Sequence, residues 1–162
     1  MTFPSLPARA AYLRLSNPAK RNALSLQVIR NLRTQLLNFN TPKNGRLLIL
    51  PPFEDDILSD LERGEEQYSW LVNAAAWRRE RKELPNVVVL RSEGPVFSSG
   101  HDLAELRSLS HDEVKETFAL CADVVSLIRR SPAIVVCPIQ GNHFYANHAA
   151  KHITGSWTNS SL

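Results

Sequence analysis

The sequence predicts an α/β domain, and three observations carry the prediction. Two apolar runs, Ala11-Tyr12-Leu13-Arg14-Leu15 and Asn86-Val87-Val88-Val89-Leu90, have the length of strands, and the second has the continuous β-branched character of a strand buried on both faces. Each run leads through a polar loop into residues at helical spacing. A third apolar run, Ile134-Val135-Val136, follows the longest helical stretch. Strands that alternate with helices in this way are joined by crossovers and line up in a parallel sheet.

Residues 1–10 read as an N-terminal extension before the first strand. After that strand, Ser25 stands where a hydroxyl can cap a helix, and Ile29, Leu32 and Leu36 recur at helical spacing with Arg30 and Arg33 on another face. Asn44-Gly45 marks a turn, and Leu47-Leu48-Ile49-Leu50, ended by Pro51-Pro52, reads as a short strand. From Phe53 to Leu84 the spacing of Tyr68, Leu71 and Ala75, beside Trp70, Ala74 and Trp77, predicts one or two amphipathic helices with a break at Gly64. The cations Arg78-Arg79-Glu80-Arg81-Lys82 close that region as a solvated helix end, where positive charge suits the helix dipole. The second strand runs into Phe97-Ser98-Ser99-Gly100-His101-Asp102-Leu103. Beyond it, Ser110 and Glu113 form a capping-box pair, and Val114, Phe118, Cys121, Val125 and Ile128 follow on one predicted apolar face.

At 162 residues and 43% hydrophobic content the chain suits one domain with a real core. No apolar run reaches spanning length before a charge or proline interrupts it, so no membrane span is expected. Cys121 and Cys137 lack metal-ligand spacing and read as buried free thiols in a reducing compartment. The net charge of +3 is uneven, because no acidic residue precedes Glu54. Nucleic acid, an import sequence and a polyanionic cofactor could each use such a basic start. Nucleic acid fits poorly, since aromatic residues are not interleaved with the cations. An import sequence would have to end before Ala11, where the first strand begins.

The loop after the second strand carries chemistry. Gly100 can take backbone angles closed to other residues, and the first amides of a following helix have no carbonyl partner of their own, so such a loop can turn N–H groups toward an anion. The stretch resembles the first oxyanion-hole segment of the enoyl-CoA hydratase/isomerase (crotonase) family, in which a small-small-Gly-X-Asp-hydrophobic loop follows a hydrophobic strand. Ser16-Asn17-Pro18-Ala19-Lys20-Arg21-Asn22-Ala23-Leu24-Ser25 resembles the opening signature of the same family, and Ile134 to Gly141 resembles its strand before the second glycine-rich loop. The Ser-Gly-His-Asp wording is most similar to one divergent subgroup.

The resemblance implies a crotonase-like ββα spiral over residues 11–141, with an expanded insert at 41–84, acting on or binding acyl-CoA thioesters in fatty-acid metabolism. It assigns X to His101, whose main-chain N–H would hold the thioester oxygen, and it places Ser99, Gly100, Asp102 and Leu103 around the pocket. A general-base role for the His101 imidazole is the alternative to this loop position. Asp102 can also simply cap the helix beside it. Lys20, Arg21 and Ala23 fall in the segment that, in the family, follows the adenine and phosphates of coenzyme A; the two cations can equally be solvated. Coenzyme A would enter as part of the substrate, with no separate cofactor. The family's location implies a mitochondrial protein, with cytoplasmic as the alternative.

The wording departs from the family after Gly141. Asn142 to His152 contain no second glycine cluster, and no Asp or Glu follows Asp123, so neither carboxylate of a hydratase maps onto this sequence. The C-terminal helices through which the family forms trimers and hexamers are also without counterpart. The expectation is therefore an incomplete spiral with a non-family tail at 142–162, as from a retained intron translated to the next stop. Among His143, His148 and His152 the last two stand at i and i+4, but the glutamate of an H-E-x-x-H pattern is missing and no third ligand is regularly spaced, so they are not read as a metal site. Asn159-Ser160-Ser161 reads as a chance glycosylation pattern.

Overall fold

The computed structural model describes residues 3–52 and 54–139. Strands β1 (Ala10–Leu15), β2 (Val87–Ser92) and β3 (Ile134–Val136) form one parallel sheet in the order β1-β2-β3. The α-helices are α1 (Leu26–Asn40), α2 (Asp55–Glu62), α3 (Ser69–Val72), α4 (Ala74–Glu80), α5 (Leu103–Leu106) and α6 (His111–Arg130). The alternation read from the sequence is present, and all three predicted core strands form. Residues Gln140 and Gly141 at the expected end of the third strand, and the whole tail from Asn142, lie outside the described residues.

Side chains alternate across a strand, so Leu13 and Leu15 of β1 share a face with Val88 of β2. That face is buried against Ile29, Leu32 and Leu36 of α1 and against Val124 and Leu127 of α6. Ser25 caps α1 as expected, accepting the Val28 N–H at 3.2 Å. Arg30 and Arg33, on the flank of α1, reach across to Glu116 at 2.6 Å and Asp123 at 2.5 Å of α6. On the opposite face of the sheet, Phe3 packs on Tyr12 with centroids 4.9 Å apart and lies under the guanidinium groups of Arg14 and Arg91.

Four expectations are corrected. Leu47 to Leu50 is not a strand. Its Leu48 N–H donates to Asn40 O at 2.8 Å and its Leu50 N–H to Arg130 O at 2.7 Å, so one edge of the run is taken by the carbonyls at the ends of α1 and α6. In the segment predicted as one or two helices, residues 54–84 hold four short helical pieces, α2, a 3-10 turn at Glu66–Tyr68, α3 and α4, because Asn73 breaks the chain a second time after Gly64. Asn73 accepts the Ala75 and Ala76 N–H groups and so starts a new helix where a longer one was expected. These pieces enclose a second small core of Leu48, Trp70, Ala76 and Leu84, with the Trp70 and Trp77 rings stacked at 5.6 Å. Within α4 and the turn after it, Arg81 is not part of a solvated end but fully buried, its guanidinium 5.2 Å from the Trp77 ring and donating to Pro85 O at 2.7 Å. Burial, with Arg9 nearby, lowers its pKa to about 10.

The fourth correction concerns α6, whose capping box at Ser110 and Glu113 forms as predicted. Thr117, Val124 and Leu127 make its buried face, and Cys121 and Ile128 of the predicted face pack against the same core, whereas Phe118 is 52% exposed. Packing of Val124 and Leu127 in the main core sets that roll, and the ion pairs to Arg30 and Arg33 join α6 to α1 beside it. Cys121 and Cys137 are half-buried free thiols, and burial pushes Cys137 up to about 11. No helix among the described residues is long and apolar enough to cross a membrane.

Candidate functional site

The first arm of the site follows β1. A 3-10 turn at Pro18–Lys20 ends in two consecutive residues with left-handed backbone, Arg21 at φ 50° and Asn22 at φ 55°. Asparagine tolerates that region better than most residues, and here its side chain is fully committed to holding the turn. Asn22 is buried; its Oδ1 accepts the Asn17 N–H at 2.8 Å, and its Nδ2 donates to Glu93 O at 2.6 Å and Val96 O at 2.7 Å. One side chain thus ties the turn after β1 to the loop after β2.

The second arm is that loop. Ser98 is buried, and its hydroxyl donates to Asn22 O at 2.9 Å while accepting the Gly100 N–H at 3.2 Å. The Ser99 N–H donates to Arg21 O at 3.1 Å. Gly100 has φ 86°, and a Cβ built there would meet nothing within 4 Å, so the backbone angle and not crowding requires glycine. Leu24 N–H donates to Gly100 O at 2.8 Å and Asp102 N–H to Leu24 O at 3.1 Å, a parallel bridge between Leu24 and His101. In such a bridge the central residue turns its own N–H away from the partner strand. The amides of Ser99, Gly100 and Asp102 are therefore all engaged, and the His101 amide finds no acceptor among the described residues.

Charge closes the arrangement. Asp102 caps α5 by accepting the Glu105 N–H at 3.1 Å, and its other oxygen takes the Lys20 ammonium at 2.7 Å. The Lys20 hydrogen bond, with the Glu105 N–H, holds the Asp102 carboxyl below its usual range, and the same bond raises Lys20 above its own. The His101 ring tilts against Phe118 with centroids 5.4 Å apart, and its buried Nε2 has no hydrogen-bond partner among the described residues.

Of the residues picked from sequence, Lys20, Arg21, Ser99, Gly100, His101 and Asp102 come together. Ala23 is buried beneath them and Leu103, 72% exposed, turns outward. Sequence reasoning missed Asn22 and Ser98 as the residues that lace the arms, and it missed the bond from Lys20 to Asp102. The one local signal was an asparagine in a turn opened by Asn17-Pro18, where left-handed backbone is expected. The three tail histidines lie outside the described residues.

No family model matches the chain. Enoyl-CoA hydratase domain-containing protein 3, mitochondrial, of Rattus norvegicus is 31% identical over 128 residues, which is 78% of this chain and 29% of the relative. A crystal structure of human enoyl Coenzyme A hydratase domain-containing protein 3 is 28% identical, with a TM-score of 0.49 over 84% of this chain and 39% of that one. A structure from Streptomyces coelicolor A3(2), assigned as an enoyl-CoA hydratase, shares the fold at a TM-score of 0.50 and 20% identity, covering 82% of this chain and 35% of that one. The chain thus spans less than a third of the length of the curated relatives it matches.

Proposed function

The chain belongs, through the residues it shares with these relatives, to the enoyl-CoA hydratase/isomerase (crotonase) family, and from that membership we propose that its site binds the thioester carbonyl of an acyl-CoA. What supports the reading above all is the His101 amide, a donor without an acceptor among the described residues in a loop whose neighbouring amides are taken. A thioester oxygen gains negative charge when water adds to an enoyl thioester or when its double bond moves. A fixed N–H aimed at that oxygen stabilises the charge, and losing one such donor costs roughly a hundred- to a thousandfold in rate. Ser99, Gly100 and Asp102 shape the loop that presents the donor, and Leu103 lies at its mouth. Lys20, Arg21 and Ala23 form the segment offered to the coenzyme A moiety, which enters as part of the substrate, with no separate cofactor. Fatty-acid metabolism in the mitochondrion is the setting proposed by family resemblance, the rat relative being named mitochondrial.

Binding without turnover is the form of this function that we propose for the 162-residue chain, because no Asp or Glu follows Asp123 to activate water or move the proton. Titration with crotonyl-CoA is expected to give saturable binding that free CoA competes and RNA does not. The same sample is expected to show no detectable hydration of crotonyl-CoA. Absence of binding, or displacement by RNA alone, overturns the acyl-CoA reading; measurable hydration overturns the claim that turnover is missing.

A further inference from the structure

The geometry points to Asn22 and Ser98 as positioning residues that aim the His101 amide, an inference that rests on the acyl-CoA reading above. Four consecutive links make the connection. The Asn22 side chain fixes the left-handed turn through Asn17, Glu93 and Val96; the Asn22 carbonyl receives the Ser98 hydroxyl; that hydroxyl receives the Gly100 N–H; and Gly100 O receives the Leu24 N–H. Asn22 and Ser98 are each 1% exposed, so water does not compete for these bonds. The Ser98 hydroxyl has a definite orientation, since the proton it gives to Asn22 O leaves a lone pair for the Gly100 amide.

Two consequences follow for the donor. Tying up the Gly100 N–H removes the nearest competitor to His101 for an incoming oxygen. With Gly100 held at φ 86° and its carbonyl on Leu24, the His101 N–H points away from Leu24. Without the hydroxyl, the Gly100 amide is free to rotate toward the ligand, and the loop presents two poorly aimed donors where it had one fixed one. Neither Asn22 nor Ser98 touches the ligand in this account; both act through the loop backbone.

The test uses the full chain and butyryl-CoA carrying carbon-13 at the thioester carbonyl. In the parent protein the bound carbonyl stretch is expected to move to lower frequency, as a hydrogen bond to the oxygen weakens the C=O bond. Ser98→Ala is expected to abolish most of that shift and weaken butyryl-CoA binding about fivefold, the worth of one ordinary hydrogen bond, while leaving the affinity for free CoA unchanged. Asn22→Gly, which retains access to left-handed backbone while removing the side-chain bonds, is expected to act in the same direction. A merely structural role would weaken free CoA and butyryl-CoA together.

Should either variant fail to fold, amide NMR on the unmodified chain decides the point. The His101 amide proton is expected to move downfield with butyryl-CoA and not with free CoA, while the Gly100 amide stays in place. A Gly100 shift in place of the His101 shift overturns the positioning role, as does a full carbonyl shift in folded Ser98→Ala. If the parent protein does not bind butyryl-CoA at all, the acyl-CoA reading falls and this inference falls with it.

Discussion

Asp102 serves two partners with one carboxylate, and its acid-base behaviour can be read from them. One oxygen caps α5 and the other holds Lys20. Because the folded Asp102 titrates below its ordinary value of 3.8, its stabilising contribution is present above that value and is lost as pH falls through the folded one. Lys20 titrates above its ordinary 10.5, so its contribution is present below 10.5 and is lost as pH rises through the folded value. Asp102→Asn keeps a capping oxygen but removes the charge, and it is expected to flatten the acid limb of a plot of melting temperature against pH. An acid limb as steep as that of the parent chain would contradict this assignment. Lys20 is 59% exposed in its side chain, which places the effect at the small end for ion pairs. The cap was legible because an Asp at a helix start is a local pattern. Its lysine partner was not, since 82 positions separate them and no periodicity spans such a gap.

Among the elements, α6 has the most self-contained start. Ser110 accepts the Glu113 N–H, and the Glu113 carboxylate takes the Ser110 N–H at 2.8 Å, which holds that carboxyl below its usual range. Ser110→Ala is expected to cost about 0.5–2 kcal/mol in urea denaturation. A loss within error of zero would mean that packing on α1 alone sets the start of the helix. Such elements were legible in the sequence, because caps and helical spacing are short-range signals; α1 and α6 formed where they were expected. The roll of α6 was only partly so, because Phe118 and Thr117 both lie on plausible faces, and the strands and helix α1 against which Val124 and Leu127 pack are distant in sequence. Leu47 to Leu50 misled for a related reason. Its apolar character suits a strand, but its backbone is taken by two helix ends that sequence does not place beside it. Arg81 shows the same limit in a charge run, since the ring it lies against and the carbonyl it reaches are set by tertiary packing.

At the scale of the molecule, one face of the sheet is buried under α1 and α6, while β3, one of the two outer strands among the described residues, leaves Ile134 67% and Val136 41% exposed. An apolar outer strand of this kind invites association. The isolated 162-residue chain is expected to self-associate at micromolar concentration, and Ile134→Lys is expected to reduce this in light scattering without lowering the melting temperature. A parent chain that stays monomeric with no dye-accessible apolar surface would contradict the expectation. The lacing of Asn22 to Ser98 has a different bearing, on how the chain reaches its final shape. The hydroxyl bond between them closes a loop whose ends are 76 positions apart. The entropy of closing a flexible loop grows only with the logarithm of its length, about 0.6 kcal/mol for each doubling, so the helical pieces between residues 41 and 84 can gain or lose length at little expense to the closure itself. Closure over such a distance also has to wait for β1 and β2 to pair, since only the sheet brings the two arms within reach. The His101 amide turned away from Leu24 is then among the last features to form, and a fragment holding either arm alone would not display it.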